Sequence, residues 1–396
     1  MSNQWDGQII LPGSGLEARV LTRNPSFTYK QKLTQAVTLA AQATTTRTFQ
    51  QAFKLPAGLT RFRVAIPNIN AGTQALGGIK AVIVSATTDF PNAHTFTPVN
   101  VLFSAATTAT LATRVSATEP SITYSDWIDV TGAPVGSFLV LRGLLTGTVT
   151  WNATYSTFAG YTDALANALY PAYTWHTTVD WFTAMDSWNT TAANAVNQTY
   201  LAIIEMELER QSLAVAAVGD SHVAGSLDSG TVVSPIWTTA DALTSDSLLV
   251  SPLCFGWGGQ DSVKYSTAAL WAAANLKPAV LCYQVSSQND TGTIGDAQIN
   301  LLMRVAKACY DNGVRLILIN KIPTNASTLS ADNERKALNV RLAAMGLPTI
   351  DVDAVVSDGA SPARYKSEYG TGTHLNAAGM LAVKAEYLRV ISNLSL

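Results

Sequence analysis

Residues 213–222 read LAVAAVGDSH and carry the main signal for the fold of the second half of the chain. Residues 213–218 are all apolar, which is typical of a strand buried on both faces, and Gly219 ends the run. Functional groups collect where the strands of open α/β sheets end, so the turn that follows is a candidate site. The hydroxyl and the backbone N–H of Ser221 suit a nucleophile and an oxyanion donor, although an Asp-Ser pair is also an ordinary helix cap.

Apolar strands and helices alternate from about residue 212 to the end of the chain. Strands are predicted at residues 213–218, 248–254, 279–285, 315–320 and 349–352. Helices are predicted at residues 294–312, 330–345 and about 377–391. Strands that are apolar on both faces and separated by helices indicate a parallel sheet with helices on both sides.

The first half of the chain has a different pattern, in which short β-rich runs alternate with turn residues. Strands are predicted at residues 60–66, 79–85, 127–130 and 138–141, and their spacing indicates an antiparallel sandwich or jelly roll. Residues 200–209 fit the last strand of this domain, with a helix as the competing interpretation, and residues 34–44 fit either. We therefore expect a β-sandwich over residues 1–210 and an α/β domain over residues 211–396.

Composition excludes several classes of function. The 396 residues include 27 acidic and 25 basic ones, a net charge of -2, so no basic field is present to attract nucleic acid. No apolar run reaches the roughly 18 residues that span a bilayer. The first ten residues, MSNQWDGQII, lack the pattern of a signal peptide, so we expect a soluble protein, cytoplasmic or, if an N-terminal segment has been removed, extracellular. The three cysteines are expected to be buried free thiols.

Three more candidate loops stand where secondary-structure elements begin or end. Residues 256–259, GWGG, let a backbone approach a ligand closely, or form an ordinary tight turn. Asn289 follows the strand predicted at 279–285 and could donate its amide to an oxyanion, or form an Asx turn. His374 lies in a loop before the last helix and could act as a general base, or be a solvated loop residue.

The four signals together resemble the SGNH (GDSL-type) hydrolase family, over roughly residues 212–396. The resemblance implies a three-layer α/β/α, flavodoxin-like fold and a serine esterase that needs no metal or organic cofactor. It assigns Ser221 as nucleophile and His374 as base. It assigns the N–H groups of Ser221 and Gly259 and the side chain of Asn289 to the oxyanion hole.

The first half resembles, more weakly, the β-sandwich that precedes some bacterial two-domain SGNH enzymes, several of which deacetylate carbohydrates. The resemblance lies in residues 63–68, 76–85 and 125–130. It favours a short acyl ester, such as acetyl on a carbohydrate or a small molecule, as substrate. Trp257 could line the acyl pocket. His222 could contact substrate, although packing or capping is the favoured role. The aromatic-rich residues 151–188 could stack on sugars or fill cores and interfaces. The oligomeric state stays open.

One position departs from the family pattern. The family places Asp three residues before the catalytic histidine, where it orients the imidazole, and this chain has Thr371 there. Either a Ser221–His374 dyad works alone, or another carboxylate, from Glu368 or Asp358, replaces the missing acid. The alternatives are a non-catalytic carbohydrate-binding or structural protein on the same scaffold, or a lipase or thioesterase with longer acyl substrates.

Overall fold

The computed structural model describes residues 26–32, 41–42, 46–55, 57–68, 72–84, 98–113, 121–133, 135–146, 149–150, 175–177, 203–228, 234–256 and 258–394. The described chain divides into two compact units. One comprises Ser26–Ser212 with Asp246–Leu249, and the other comprises Leu213–Ser245 with Val250–Leu396. Trp257 and, apart from the short strand at Trp175–Thr177, the aromatic-rich segment 151–188 lie outside the described residues.

The first unit is built of antiparallel strands. They are β1 Ser26–Lys32, β2 Ala41–Gln42, β3 Thr46–Lys54, β4 Leu59–Asn68, β5 Gln74–Val84, β6 Val99–Val101, β7 Ala109–Leu111, β8 Ser121–Tyr124, β9 Ile128–Ala133, β10 Phe138–Thr146, β11 Val149–Thr150, β12 Trp175–Thr177 and β13 Ile203–Gly219. β10 pairs with both β3 and β5, and β4 pairs with β8, β9 and the first half of β13. The four strands predicted before residue 150 are all present, with bounds that differ by a few residues, while the sandwich stays a prediction.

Strand β13 joins two elements that the sequence pattern separates. Its 17 residues include the strand predicted at 213–218 and most of the closing strand predicted at 200–209, so the helix interpretation is wrong. Residues 203–208 pair antiparallel with β4, and residues 215–218 pair parallel with Val280–Gln284. The strand is continuous because residues 203–218 contain no glycine or proline to interrupt the extended backbone.

The second unit is an α/β domain. After β13 it contains β14 Leu249–Gly256, β15 Val280–Gln284, β16 Arg315–Ile319 and β17 Thr349–Ile350. Its α-helices are α1 Ser221–Ala224, α2 Pro235–Leu243, α3 Ser262–Trp271, α4 Asp296–Asp311, α5 Leu329–Ala344, α6 Val352–Val356 and α7 Ala377–Ser392. A π-helical turn, Ala272–Leu276, follows α3, and a 3₁₀ turn, Ser367–Tyr369, lies between α6 and α7.

The sheet of this unit has the order β14-β13-β15-β16-β17, and β13, β15, β16 and β17 pair in parallel. Every residue of β14, β15 and β16 is buried, as expected for strands covered on both faces. The last predicted strand is too long. Asp351 caps α6, accepting from the N–H of Ala354, so Val352 begins a helix instead of ending the strand.

The core of this unit also holds the three cysteines. Cys254, Cys282 and Cys309 are buried, and in the described part of the chain they form no disulfide, as the sequence predicts. Burial raises the pKa of the thiols of Cys282 and Cys309. Within the described ranges, no helix has the length and hydropathy of a membrane span.

Candidate active site

The nucleophile turn is built against the neighbouring strand β15. A Cβ atom on Gly219 would lie 2.3 Å from the Oε1 atom of Gln284, so only glycine allows this close approach. The same oxygen accepts the N–H of Asp220 at 2.9 Å. Asp220 then caps α1, accepting the N–H of His222 at 2.9 Å. These contacts hold Ser221, which is 8% exposed, at the carboxyl end of β13.

Tertiary structure brings His374 to this serine. The Nε2 atom of His374 lies 2.8 Å from the Oγ atom of Ser221, across 153 residues of sequence. Burial lowers the pKa of His374 below 6.5, and the neighbouring His222 lowers it further, while Asp220 and Asp228 act in the opposite direction. A lowered pKa keeps the imidazole neutral at pH 7, which is the form that accepts a proton from a hydroxyl.

Neither of the predicted replacement acids contacts the imidazole. Among the described residues, the Nδ1 atom of His374 has no protein hydrogen-bond partner. Thr371 and Glu368 are exposed, and the contact of Glu368 nearby is made by its backbone carbonyl, which accepts the side-chain amide of Asn376 at 2.9 Å. The carboxylate of Asp358 accepts two N–H groups of its own loop, which lowers its pKa. The structure thus leaves the usual acid position without a substitute drawn from the sequence candidates.

A carboxylate that the sequence pattern did not indicate holds the histidine loop instead. The two oxygens of Asp228 accept the N–H of Gly372 at 3.1 Å and the N–H of His374 at 3.0 Å. The N–H of Asp228 donates to the carbonyl of Leu375 at 3.2 Å. Asp228 lies seven positions after Ser221, in a stretch without a motif, and the two loops are 144 residues apart in sequence. No local pattern could have linked them.

The glycine block approaches the nucleophile through two glycines. A Cβ atom on Gly256 would lie 2.2 Å from the backbone nitrogen of Ala224, so the end of β14 packs directly on α1. A Cβ atom on Gly258 would lie 3.9 Å from the Cβ atom of Ser221. Gly259 follows with a φ of 71°, a left-handed conformation that favours glycine. Among the described residues, the N–H groups of Ser221 and Gly259 have no protein acceptor, so both are available as donors.

Asn289 is held by the same network. Its side-chain amide donates to the carbonyl of Gln260 at 3.2 Å and to the Oγ atom of Ser287 at 3.1 Å. The hydroxyl of Ser287 lies 2.8 Å from the carboxylate of Asp220 and 2.7 Å from the carbonyl of Gln260. The amide of Asn289 must therefore exchange one of these acceptors before it can donate to a reacting oxygen.

His222 is packed beside the base. Its Nδ1 atom lies 3.1 Å from the carboxylate of Asp220 and its Nε2 atom 3.2 Å from the hydroxyl of Tyr365. Its ring centroid is 5.4 Å from that of His374. The side chain of His222 is only 10% exposed, which favours the predicted packing role over substrate contact. Burial raises the pKa of Asp220, but the charge of His222 and hydrogen bonds from His222 and Ser287 leave it well below its usual range.

The described residues contain no group of three or more His, Cys, Asp and Glu side chains arranged to hold a metal ion.

Comparisons with known proteins give matches among solved structures. No family model matches the chain, and no curated protein matches it. A lipase/acylhydrolase from Enterococcus faecalis is 18% identical, with a TM-score of 0.35, and the match covers 46% of this chain and 96% of that one. A GDSL-like lipase from Bacteroides thetaiotaomicron is 17% identical, with a TM-score of 0.35, 46% of this chain and 88% of that one being covered. The psychrotrophic esterase EstA from Pseudoalteromonas is 13% identical, with a TM-score of 0.34 and coverage of 46% and 97%.

Proposed function

We propose that the protein is a carboxylic ester hydrolase of the SGNH type, with Ser221 as nucleophile and His374 as general base. The observation that carries the proposal is the 2.8 Å separation between the Oγ atom of Ser221 and the Nε2 atom of His374. This is hydrogen-bonding distance for proton transfer from a hydroxyl to a neutral imidazole. The burial that lowers the pKa of His374 keeps the imidazole in that form at neutral pH.

The proposed reaction follows from these roles. His374 takes the proton of Ser221 as the Oγ atom attacks the ester carbonyl, and the carbonyl oxygen becomes an oxyanion. The imidazolium then protonates the departing alcohol, leaving an acyl group on Ser221. Water, deprotonated by the neutral imidazole, attacks the acyl-enzyme and releases the carboxylic acid with Ser221 restored. The residues supply every proton transfer in this sequence without a cofactor.

The oxyanion would be held by the N–H groups of Ser221 and Gly259 and by the amide of Asn289. The proposal is supported by the free N–H groups among the described residues and by the approach of Gly258 to Ser221. Donors of this kind act in the transition state, where removal of one costs roughly 10²–10³ in kcat. The amide of Asn289 is the weakest of the three in the resting arrangement, because it already has two acceptors.

For the substrate, we propose a short acyl ester, acetyl first, on a carbohydrate or a small alcohol. The support is the sequence resemblance of the first half to the β-sandwich of two-domain carbohydrate esterases. We further propose that Ser26–Ser212 forms such a sandwich as an accessory module, and that the unit from Leu213 onward has the three-layer α/β/α arrangement. A panel of acetylated polysaccharides and simple esters, with acyl chains from acetyl to long fatty acyl, tests the substrate class. Preference for long chains would point to a lipase or thioesterase.

The enzyme proposal is tested with p-nitrophenyl acetate and a fluorophosphonate probe. The wild-type protein should turn over the ester and be labelled at Ser221, and Ser221→Ala should abolish both. A matched control is Ser266→Ala, which removes the hydroxyl of a buried serine whose hydrogen bond, within the described part of the chain, goes to the carbonyl of Val263 in its own helix. The control should retain labelling and turnover. A wild-type protein that neither reacts with the probe nor hydrolyses the ester would overturn the proposal.

The competing function is a non-catalytic carbohydrate-binding or structural protein on the same scaffold. One observation favours it: among the described residues, no carboxylate contacts the Nδ1 atom of His374. Binding of an acetylated polysaccharide without hydrolysis, unchanged in Ser221→Ala, would support that function instead.

A further inference from the structure

We infer that Asp228 is the positioning residue for the catalytic base, replacing the missing acid by holding the backbone of the histidine loop instead of its imidazole. The inference rests on the proposed function, since it assigns a role in the reaction of Ser221 and His374. Asp228 touches neither substrate nor reacting atoms, and its effect reaches the chemistry through the orientation and charge environment of His374.

The contacts of Asp228 connect the segment after α1 to the histidine loop at three points. One carboxylate oxygen accepts the N–H of Gly372 at 3.1 Å and the other accepts the N–H of His374 at 3.0 Å. Residues Leu227 and Leu375 also form a parallel bridge, and the N–H of Asp228 donates to Leu375. The carboxylate and the backbone N–H of Asp228 therefore bond the loop on both sides of His374. Hydrogen bonds to a charged group, such as those of the carboxylate, are stronger than neutral ones.

The glycine at position 372 is explained by the same contact. A Cβ atom there would lie 2.3 Å from one carboxylate oxygen of Asp228 and 2.4 Å from the other, so any larger residue would displace the carboxylate. Gly370 is also close, with its Cβ position 3.5 Å from the same group. Gly372 thus gives the carboxylate room on the loop that carries His374 to bonding distance of Ser221, whereas the distance at Gly370 is an ordinary contact.

The charged and titratable groups facing His374 come from three elements. His222 lies beside it on α1, Asp220 caps that helix, and the Tyr365 hydroxyl donates to the carbonyl of Thr373. Asp228 faces it from the loop after α1. Of these, Asp220 and Asp228 favour the imidazolium and His222 opposes it. Asp220 is itself paired with His222. Asp228 therefore joins Asp220 in favouring the imidazolium that forms during the reaction, and unlike Asp220 it also bonds the backbone of the histidine loop.

The test compares Asp228→Asn with Asp126→Asn in the full-length protein. The control is matched in its contacts, because the half-buried Asp126 also accepts two backbone N–H groups with its carboxylate, from Ser104 and Ala105, at 3.2 and 2.8 Å. Asparagine is nearly isosteric but removes the charge and turns an N–H group toward one of the loop donors. We expect Asp228→Asn to lower kcat/KM roughly 10-fold or more, chiefly through kcat, with Asp126→Asn unchanged.

A second measurement does not depend on activity. The chain has four histidines, so the ring resonances of His374 can be assigned by comparison with a His374→Ala variant and titrated by NMR. In Asp228→Asn the titration midpoint of His374 should move down, since a nearby negative charge is lost. Gly372→Ala keeps the charge but displaces it, and should also lower kcat/KM. Thermal melts identify a variant that fails to fold. If Asp228→Asn does not fold, Gly372→Ala supplies the test.

The outcomes separate the inference from the function on which it rests. A labelled, active wild-type protein whose Asp228→Asn and Gly372→Ala variants keep the rate and the His374 midpoint would overturn the inference and leave the esterase proposal standing. An unlabelled, inactive wild-type protein would overturn the esterase proposal. That result would overturn the catalytic role of Asp228 as well, whereas the first result overturns the role of Asp228 alone.

Discussion

The two loops that meet at the candidate site are held in opposite ways. The nucleophile turn is fixed from inside, because Asp220 is fully buried and bonded to the side chains of His222 and Ser287 and, through its N–H, to Gln284. The histidine loop is held on its exposed side by Asp228, while the hydroxyl of the buried Tyr365 donates to the carbonyl of Thr373. Buried networks are costly to break, and exposed contacts are weaker and more easily changed. We therefore expect changes at the nucleophile turn to affect stability, and changes at the histidine loop to affect rate and pH dependence.

The largest effect on activity should come from removing the side chain of Ser221 or of His374, where the two loops meet. Ser221→Ala and His374→Ala should each lower kcat by roughly 10³-fold or more, and the double variant should lose no more than the worse single one, because the two groups act as a unit. Steady-state kinetics on p-nitrophenyl acetate measures this. Losses that multiply in the double variant would contradict a shared proton transfer.

A large effect on stability is expected in the nucleophile turn, where Asp220 is buried. Asp220→Ala removes a carboxylate whose partners stay buried, and should lower the free energy of unfolding by about 3 kcal/mol. The pKa of Asp220 is lowered in the fold, so its stabilisation is present above the unfolded pKa near 3.8 and is lost as the pH falls toward the folded pKa. Urea unfolding at pH 7 measures the difference, and a loss below about 0.5 kcal/mol would show that the network contributes little.

A smaller effect on activity should follow from placing a carboxylate at position 371 in the histidine loop. Thr371→Asp places a carboxylate where the sequence resemblance puts the orienting acid, and should raise the pKa of His374 and raise kcat/KM about 10-fold above that pKa. The matched variant Thr371→Asn introduces a side chain with the shape of aspartate but without its charge, and should give no gain in kcat/KM. Equal rates for the two variants would argue that the loop keeps residue 371 away from the imidazole.

The smallest expected effect concerns the dependence of kcat/KM on pH in the wild-type protein, whose acid limb should be shifted to lower pH. Burial lowers the pKa of His374 below its ordinary 6.5, and the reaction needs the neutral imidazole. The value of kcat/KM should therefore still exceed half its plateau at pH 6.5 and should fall only at lower pH. A rate profile between pH 4 and pH 8 measures it, and a midpoint above 6.5 would contradict the assigned environment.

Much of the α/β unit was predictable because its signals are local. The strands predicted from the apolar runs at 213–218 and 279–285, and the helices found at Asp296–Asp311 and Ala377–Ser392, are visible in the local sequence pattern. The errors in the predicted elements lie where strand pairing or a helix cap, and not the hydrophobic pattern, decides where an element begins or ends. The strand β13 is continuous across the division between the units, and Val352 belongs to a helix because the side chain of Asp351 caps it.

The sequence by itself determined the residue types of the site and the elements that carry them, since a serine after a buried strand and a histidine before a helix are visible in short windows. Only the tertiary structure decided that Ser221 and His374 meet at 2.8 Å, that Asp358 serves its own loop, and that Asp228 grips the loop of the base. The contact of Ser221 with His374 and that of Asp228 with Gly372 join residues that are far apart in sequence, and such partners are set by how strands order in the sheet and how the loops at their ends pack. A window of neighbouring residues contains no record of that packing.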